Sequence, residues 1–278
     1  MPLPTTQVEP ISKKTADHIQ LKLTLETPIG QLGHLKQALL FAEIALVAYL
    51  KPEEFEKAVA RIGFTQVQGF KFFDSQAHWI SNEHDSVVVF RDIEATNRQQ
   101  LLNAMHGELV MAETEGRVHS TFKKRVDGLW PQVEQAMKLD RRCLWFAGHC
   151  IGGALAFISA YRCLMSALQN EPAAVFTYGS PRVGNRSYVS QTELKHHRWV
   201  NGRDFVPYLP ANWMGYRHEG EAHIINKSGE LHTMTGWNLH SDGFRGMCKS
   251  IKLLQGRHFH DHLISSYVNA IARHALKQ

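Results

Sequence analysis

A strand, a glycine-flanked bend and a helix follow one another without a spacer at residues 142–168. Arg142 to Ala147 is a short apolar run, Cys-Leu-Trp-Phe-Ala after a charged residue. An apolar run without alternation is covered on both faces, as in the middle of a parallel sheet. It enters Gly148-His149-Cys150-Ile151-Gly152-Gly153 and then a helix rich in Ala, Leu, Phe and Ile, to about Leu168. A residue on such a bend is held out of the sheet edge, exposed, at the helix N-terminus. Gly148 and Gly152, two residues either side of Cys150, remove side chains that would clash in so tight a turn.

The surrounding pattern predicts the rest of an α/β fold. His18 to Glu26 alternates, with Ile19, Leu21, Leu23 and Leu25 on one face, and reads as a half-buried strand. Gly33 to Leu50 reads as a largely buried helix, and Pro52 suits the first turn of another that runs to Ile62. Strands are expected at Gln66–Asp74, Ala77–Ser81, Ser86–Arg91, Val175–Tyr178 and His197–Val200. Ala95 to Ala112 and Val118 to Ala136 carry helical periodicity, the second with Pro131 near a break. Strands alternating with helices imply a mostly parallel sheet with helices on both faces.

Composition excludes several function classes. Lys+Arg 31 against Asp+Glu 26 leaves +5, and no lysine or arginine stripe interleaves with aromatics, so nucleic acid is not an expected partner. The longest apolar stretch, Ala38 to Leu50, is interrupted by Glu43 and is too short for a bilayer, which needs about 20 apolar residues. Met1 to Lys14 has no apolar h-region, and the four cysteines form no CxxC pair. They read as reduced thiols in a cytoplasmic protein.

Cys150 is the chemically pointed residue. A helix N-terminus favours a thiolate, and an imidazole nearby would favour it further. The bland alternative is a buried structural cysteine after a glycine turn. Cys143 and Cys163, within an apolar strand and helix, read as structural. His258, His260 and His262 alternate and could be mistaken for metal ligands, but no acidic or cysteine partner stands at ligand spacing, so no metal is expected there. His196, His197, His218 and His223 read as surface or core histidines, and Glu219 and Glu221 as covering a solvated loop.

Four segments in order resemble the class 3 lipases, the fungal-lipase-like α/β-hydrolases. GHCIGGAL resembles that family's GHSLGGAL elbow. Phe176 to Asn185, FTYGSPRVGN, is similar to its F-G-x-P-R-V-G-N segment. Trp199 to Pro210 resembles V-N-x-x-D-x-V-P-x-L-P, and Asp261-His262 with Tyr267 resembles a terminal D-H-x-x-Y. Val88 to Arg91 and Gly116 to His119 also match, so the likeness runs from about Asp85 to Tyr267.

The resemblance implies an α/β-hydrolase fold in one domain, residues 31–278, with residues 1–30 as an N-terminal arm and strand. It implies a Cys150, Asp204, His262 triad, in the chain order of α/β-hydrolases. Cys150 would attack a carboxylic ester or thioester of a small molecule or lipid. His262 would shuttle the proton, and Asp204 would fix the imidazole. Backbone N–H groups of Ile93 and Ile151 would form the oxyanion hole. No cofactor and no metal are implied. The stretch from Ala95 to Ala112 would correspond to the lipase lid, or to a plain surface helix packed on the core.

The chain departs from the family at two places. Cys150 replaces the usual serine. Asp92 and Ile93 replace a glycine and a hydroxyl residue at the oxyanion position. A carboxylate about 5 Å from an oxyanion would oppose it by about 3 kcal/mol at an effective dielectric near 20, or about a hundredfold in rate. Three readings stay open: an acyl hydrolase with a thioester intermediate; an acyltransferase passing the acyl group to an amine or thiol acceptor; and a hydrolase-fold binding protein, or a serine-to-cysteine variant of a serine lipase, with little turnover.

Overall fold

The structure, a computed structural model, describes residues 10–94, 98–191, 194–202, 204–218, 220–226, 228–234 and 259–277. Helices α1 (His34–Val47) and α2 (Pro52–Ile62) precede strands β1 (Gln66–Phe72), β2 (Ser75–Ser81) and β3 (Asp85–Arg91). A short helix α3 (Arg98–Ala104), strands β4 (Leu109–Met111) and β5 (Arg117–His119) and helix α4 (Ser120–Met137) follow. Next come β6 (Cys143–His149), α5 (Ile151–Met165), β7 (Pro172–Tyr178), β8 (Gly184–Asn185), α6 (Arg186–Val189) and β9 (His196–Asn201). The described chain ends with β10 (Tyr216–Arg217), β11 (Glu221–Ile225), β12 (Leu231–Met234), α7 (Phe259–His262) and α8 (Ile264–Ala275).

The main sheet has the order β1-β2-β3-β6-β7-β9-β11-β12. Its five central strands, β3 to β11, are parallel to one another, and both edges are antiparallel. Both faces are buried, and the period of two assigns each side chain to a face. Val87, Val89, Trp145, Ala147 and Phe176 join one apolar cluster with α1, α2 and α8. Val88, Phe90, Phe146 and Val175 join the other with α4 and α5. This is the α/β-hydrolase fold that the strand–helix alternation and the motifs pointed to. The chain also builds a small antiparallel sheet, β10-β8-β5-β4, that periodicity did not reveal, because strands of two or three residues are shorter than any readable pattern.

Four expectations are corrected. His18–Glu26 is not a strand of a sheet. Its alternation is real, but the segment lies extended over α1, and Glu43 accepts the N–H groups of Lys22 (2.7 Å) and Leu23 (3.2 Å) in place of a ladder. The expected helix Ala95–Ala112 is only Arg98–Ala104 where described, and Leu109–Met111 is a strand. At Gly107, between them, a Cβ would come within 2.4 Å of the His119 ring. Pro131 does not break its helix. It faces solvent, where the carbonyl it leaves unpaired can be hydrated. Glu221 opens strand β11, not a solvated loop, while Glu219 and His258 lie outside the described residues.

Candidate active site

Cys150 stands between β6 and α5, at the carboxyl end of a central strand, with φ 57° and ψ −129°. A non-glycine residue in that region costs about 1–3 kcal/mol and persists only where its surroundings hold it. Here the surroundings are explicit. The Cys150 N–H donates to the Tyr178 carbonyl at 2.9 Å, and its own carbonyl accepts from Gly153 at 2.9 Å. A Cβ at Gly148 would come within 2.3 Å of the Gly152 carbonyl oxygen, and one at Gly152 within 2.3 Å of the Phe90 carbonyl oxygen. Both glycines are therefore fixed by close backbone approach.

Asp204 follows β9, the second parallel neighbour of β6 on that side, and His262 closes the turn of α7. His262 Nδ1 donates to Asp204 Oδ2 at 2.9 Å. On its other side the imidazole hydrogen-bonds the Cys150 side chain. Burial works against a charged His262, but the Asp204 carboxylate and the Cys150 sulfur outweigh it, and its pKa is raised to about 10. Sequence reasoning had assigned these three residues to one site, and the fold brings them together.

The sulfur is more covered than the bend suggested: Cys150 is 6% exposed. Leu101 of α3 and Met105 just beyond it belong to the same large apolar cluster as Cys150 and Ile151.

Supporting groups surround the three residues. The Tyr267 hydroxyl donates to Asp204 Oδ2 at 2.6 Å and accepts the Asn201 N–H at 3.1 Å. The Val206 N–H donates to Asp204 Oδ1 at 2.9 Å. Gly179, at φ +58°, leaves the space that these groups fill, since a Cβ there would lie 2.5 Å from Asp204 Oδ2. Arg182, of the P-R-V-G-N segment, donates to the carbonyls of Tyr208 and, at 2.8 Å, Pro210, and so ties down the loop that follows Asp204.

His149 and Tyr49 form a further layer. Burial and the neighbouring His262 hold His149 well below its ordinary pKa, so it is neutral. Its Nε2 faces the His262 carbonyl at 2.7 Å and must carry the proton, which leaves Nδ1 to accept from the Tyr49 hydroxyl at 3.0 Å. No sequence signal marked Tyr49, which reaches the site from the end of α1.

The oxyanion position is also clarified. Ile93 follows β3 and Ile151 opens α5. β3 and β6 are adjacent, with Phe90 opposite Gly148, so the two segments leave the sheet side by side. The N–H groups at a helix start lack intrahelical partners and are open to an anion. Asp92, the residue expected to oppose an oxyanion, is held in a pair: Oδ1 accepts from Arg125 of α4 at 2.7 Å and Oδ2 from the Ser75 hydroxyl. Its charge is thus compensated by a guanidinium on the neighbouring helix.

Among the described residues, the one cluster of three or more metal-type ligands is His34, His197 and His223. Two of these had been read as surface or core histidines. They lie toward the amino-terminal end of the sheet's parallel strands, away from Cys150.

Comparison with known proteins agrees with this geometry. The sequence profile of the family Lipase (class 3) matches residues 82–214. Over that span the chain is similar to the class 3 lipases. The span includes Cys150 and Asp204 and stops short of His262. A lipase from Rhizomucor miehei is 37% identical over 161 residues, which is 56% of this chain and 40% of that protein. Toxin TseL of Vibrio cholerae is 31% identical over 112 residues, 39% of this chain and 17% of the toxin. The chain thus spans less than half the length of either relative. Among solved structures, the lipase from Rhizopus microsporus var. chinensis superposes with a TM-score of 0.65 at 20% identity, covering 87% of this chain and 90% of that one. A structure described as a triacylglycerol lipase with a serine protease triad as its catalytic centre gives 0.57 at 21% identity, over 74% and 86%. At these identities the structural likeness establishes the fold.

Proposed function

We propose that the protein is a lipase-like acyl-ester hydrolase in which Cys150 is the nucleophile, His262 the general base and acid, and Asp204 the residue that orients the imidazole. The observation that carries this reading is the continuous hydrogen-bonded run from the Cys150 side chain through His262 to Asp204, with Cys150 on a strained bend between a parallel strand and a helix. The charged imidazole and the sulfur form the activated pair, and the thiolate adds to the acyl carbon. The N–H groups of Ile93 and Ile151 receive the developing oxyanion. Collapse of that intermediate expels the alcohol or thiol, which takes its proton from His262, and leaves a thioester on Cys150. Water then attacks with His262 as base, and the carboxylic acid leaves.

The substrate class is supported by relatives named as lipases, such as that of Rhizomucor miehei, and by the apolar cluster around Cys150. An ester with an acyl chain suits these apolar surroundings. With Cys150 6% exposed, a substrate reaches the sulfur only when its cover opens. Sulfur favours a second reading of the same site. A thioester is taken readily by amines and thiols, so the acyl group could pass to such an acceptor. The reservation that pointed to a non-catalytic binding protein, an unopposed Asp92, is weakened by its Arg125 partner. No cofactor enters the scheme. We also read residues 31–278 as one hydrolase domain with residues 1–30 as its arm, and the protein as cytoplasmic, in keeping with free thiols at Cys143, Cys150 and Cys163.

The test is the rate of Cys150 alkylation by iodoacetamide, followed by peptide mass, beside that of Cys163, whose thiol burial pushes up to about 12. Cys150 is expected to react at least tenfold faster, and to lose that advantage in His262→Ala. Equal rates, or no effect of the His262 change, would contradict the proposal. Added amine or thiol acceptors raising turnover above the rate in water would select acyl transfer.

A further inference from the structure

We propose that His34, His197, His223 and Glu221 form a binding site for a divalent transition cation of the zinc type, apart from the Cys150 site. His197 Nδ1 lies 3.3 Å from His223 Nε2. Glu221 Oε2 lies 3.2 Å from that Nδ1 and 3.3 Å from that Nε2. These three atoms make a nearly equilateral triangle. With zinc–nitrogen and zinc–oxygen bonds of about 2.0–2.1 Å, the edge of a tetrahedral site is about 3.3–3.4 Å, so the triangle already has the size of one tetrahedral face.

His34 is the candidate for the fourth ligand. The three imidazoles present ligand atoms within 4.8 Å of one another. His34 Nε2 is buried and has no hydrogen-bond partner. A buried nitrogen without a partner costs about 1–3 kcal/mol, and a cation is the partner that its lone pair would satisfy. The ring is held by its neighbours, 4.5 Å from His197 and 4.7 Å from His223 between centroids, and stacked on Trp199 at 6.0 Å. One outer contact sets a tautomer. When His223 donates its Nδ1–H to Thr233 Oγ1 at 3.2 Å, its Nε2 lone pair faces the cluster.

Imidazoles must be neutral to ligate. Burial is the first cause that holds His34, His197 and His223 all below their ordinary values, His223 to about 3. Three neutral imidazoles and one carboxylate are a hard-to-borderline donor set that suits Zn²⁺ better than Ca²⁺ or Mg²⁺, which take oxygen ligands. The register explains how the set arises. β9 and β11 are parallel neighbours with Glu221 opposite His197 and His223 opposite Trp199, and α1 starts with His34 above them. A bound ion would pin the first turn of α1 to the sheet edge. A site closed by four protein ligands, with no open position, would serve a structural role.

The experiment uses the full-length chain, stripped with EDTA and dialysed. Zinc chloride is titrated by calorimetry, and cobalt(II) by visible absorption. One zinc per chain is expected at micromolar Kd or tighter, with a tetrahedral cobalt spectrum and a melting temperature about 5 °C higher at a hundredfold excess over Kd. His34→Phe keeps an aromatic ring in the stack. It should weaken binding at least tenfold, as should the partly exposed Glu221→Gln, which guards against a His34 variant that fails to fold. Cys150→Ala should bind as the unaltered chain does. No zinc taken up, uptake unchanged in both ligand variants, or uptake lost in Cys150→Ala would each overturn the proposal.

Discussion

Asp204 and Glu43 are both fully buried carboxylates, one at the carboxyl edge of the sheet and one in the middle of α1, and their partners differ. Asp204 faces an imidazole, a phenol and a backbone N–H. The cationic partner and the carboxylate support each other, and the raised His262 pKa of about 10 is the sign of that support. Glu43 accepts the N–H groups of Lys22 and Leu23, and among the described residues the Lys22 charge is the one cation acting on it. Burial pushes its pKa up to about 7, and the two N–H donors offset only part of that rise. A buried carboxylate beside a cation becomes part of a fixed dipole aimed at a reacting group. A buried carboxylate held chiefly by backbone amides becomes a titrating joint between two chain segments. Asp92, beside Arg125, belongs to the first kind.

The largest expected effect comes from removing the cation beside Asp204. His262→Ala should slow acylation of Cys150 by about a thousandfold or more, measured as release of p-nitrophenol from a short-chain ester, while the fold survives by circular dichroism. A loss below tenfold would put His262 outside the chemistry.

Arg125→Met leaves Asp92 buried without its partner. Breaking a buried pair costs about 3–5 kcal/mol. Urea unfolding should show that loss, and adding Asp92→Asn should restore most of it. A loss under about 1 kcal/mol would show instead that the pair is screened as at a surface.

Glu43 is expected to make stability depend on pH in the opposite sense to a salt-bridged acid. Its ordinary value is 4.5 and its folded value about 7, so between these the folded chain keeps a proton that the unfolded chain has lost. Its contribution is complete below about pH 4.5 and is lost as pH rises through 7. The shift corresponds to about 3 kcal/mol at most. Denaturation at pH 5 and pH 8, beside Glu43→Gln, should show that slope in the unaltered chain and not in the variant. Parallel slopes would mean that Glu43 does not titrate in this window.

The smallest effect tests the edge of the Asp204 network. Tyr267→Phe removes a hydroxyl donor to a carboxylate and should cost about 2 kcal/mol in stability. Its esterase rate should fall far less than that of His262→Ala, because the phenol positions Asp204 and meets no substrate.

The contrast also explains what could be read from the chain. The Cys150 elbow stood out because Gly148 and Gly152 mark a close backbone approach at the end of an apolar strand, whereas Asp204 and His262 were named only through the resemblance of their segments to class 3 lipase motifs. The parallel core was legible because apolar runs such as Cys143–Ala147 have no other place to go. His18–Glu26 was half legible. Its alternation reports which side chains face the core, but not whether the backbone partner is a strand or the carboxylate of Glu43. Tyr49, Arg125 and the histidine cluster were not legible. Each reaches its partner from a separate element, His34 from a helix start 163 residues before His197, and only the folded register brings them together. Asp92 looked hostile to an oxyanion because its counter-charge lies 33 residues away on α4.

The central claim is that Cys150 takes up an acyl group with the help of His262. The direct measurement is the intact mass of the protein after brief exposure to a short-chain acyl thioester, followed by peptide mapping. The account predicts a single acyl addition on Cys150 that hydroxylamine removes and that Cys150→Ala abolishes. Acylation confined to Cys143 or Cys163, or no covalent species at any time point with ester or thioester donors, would contradict it.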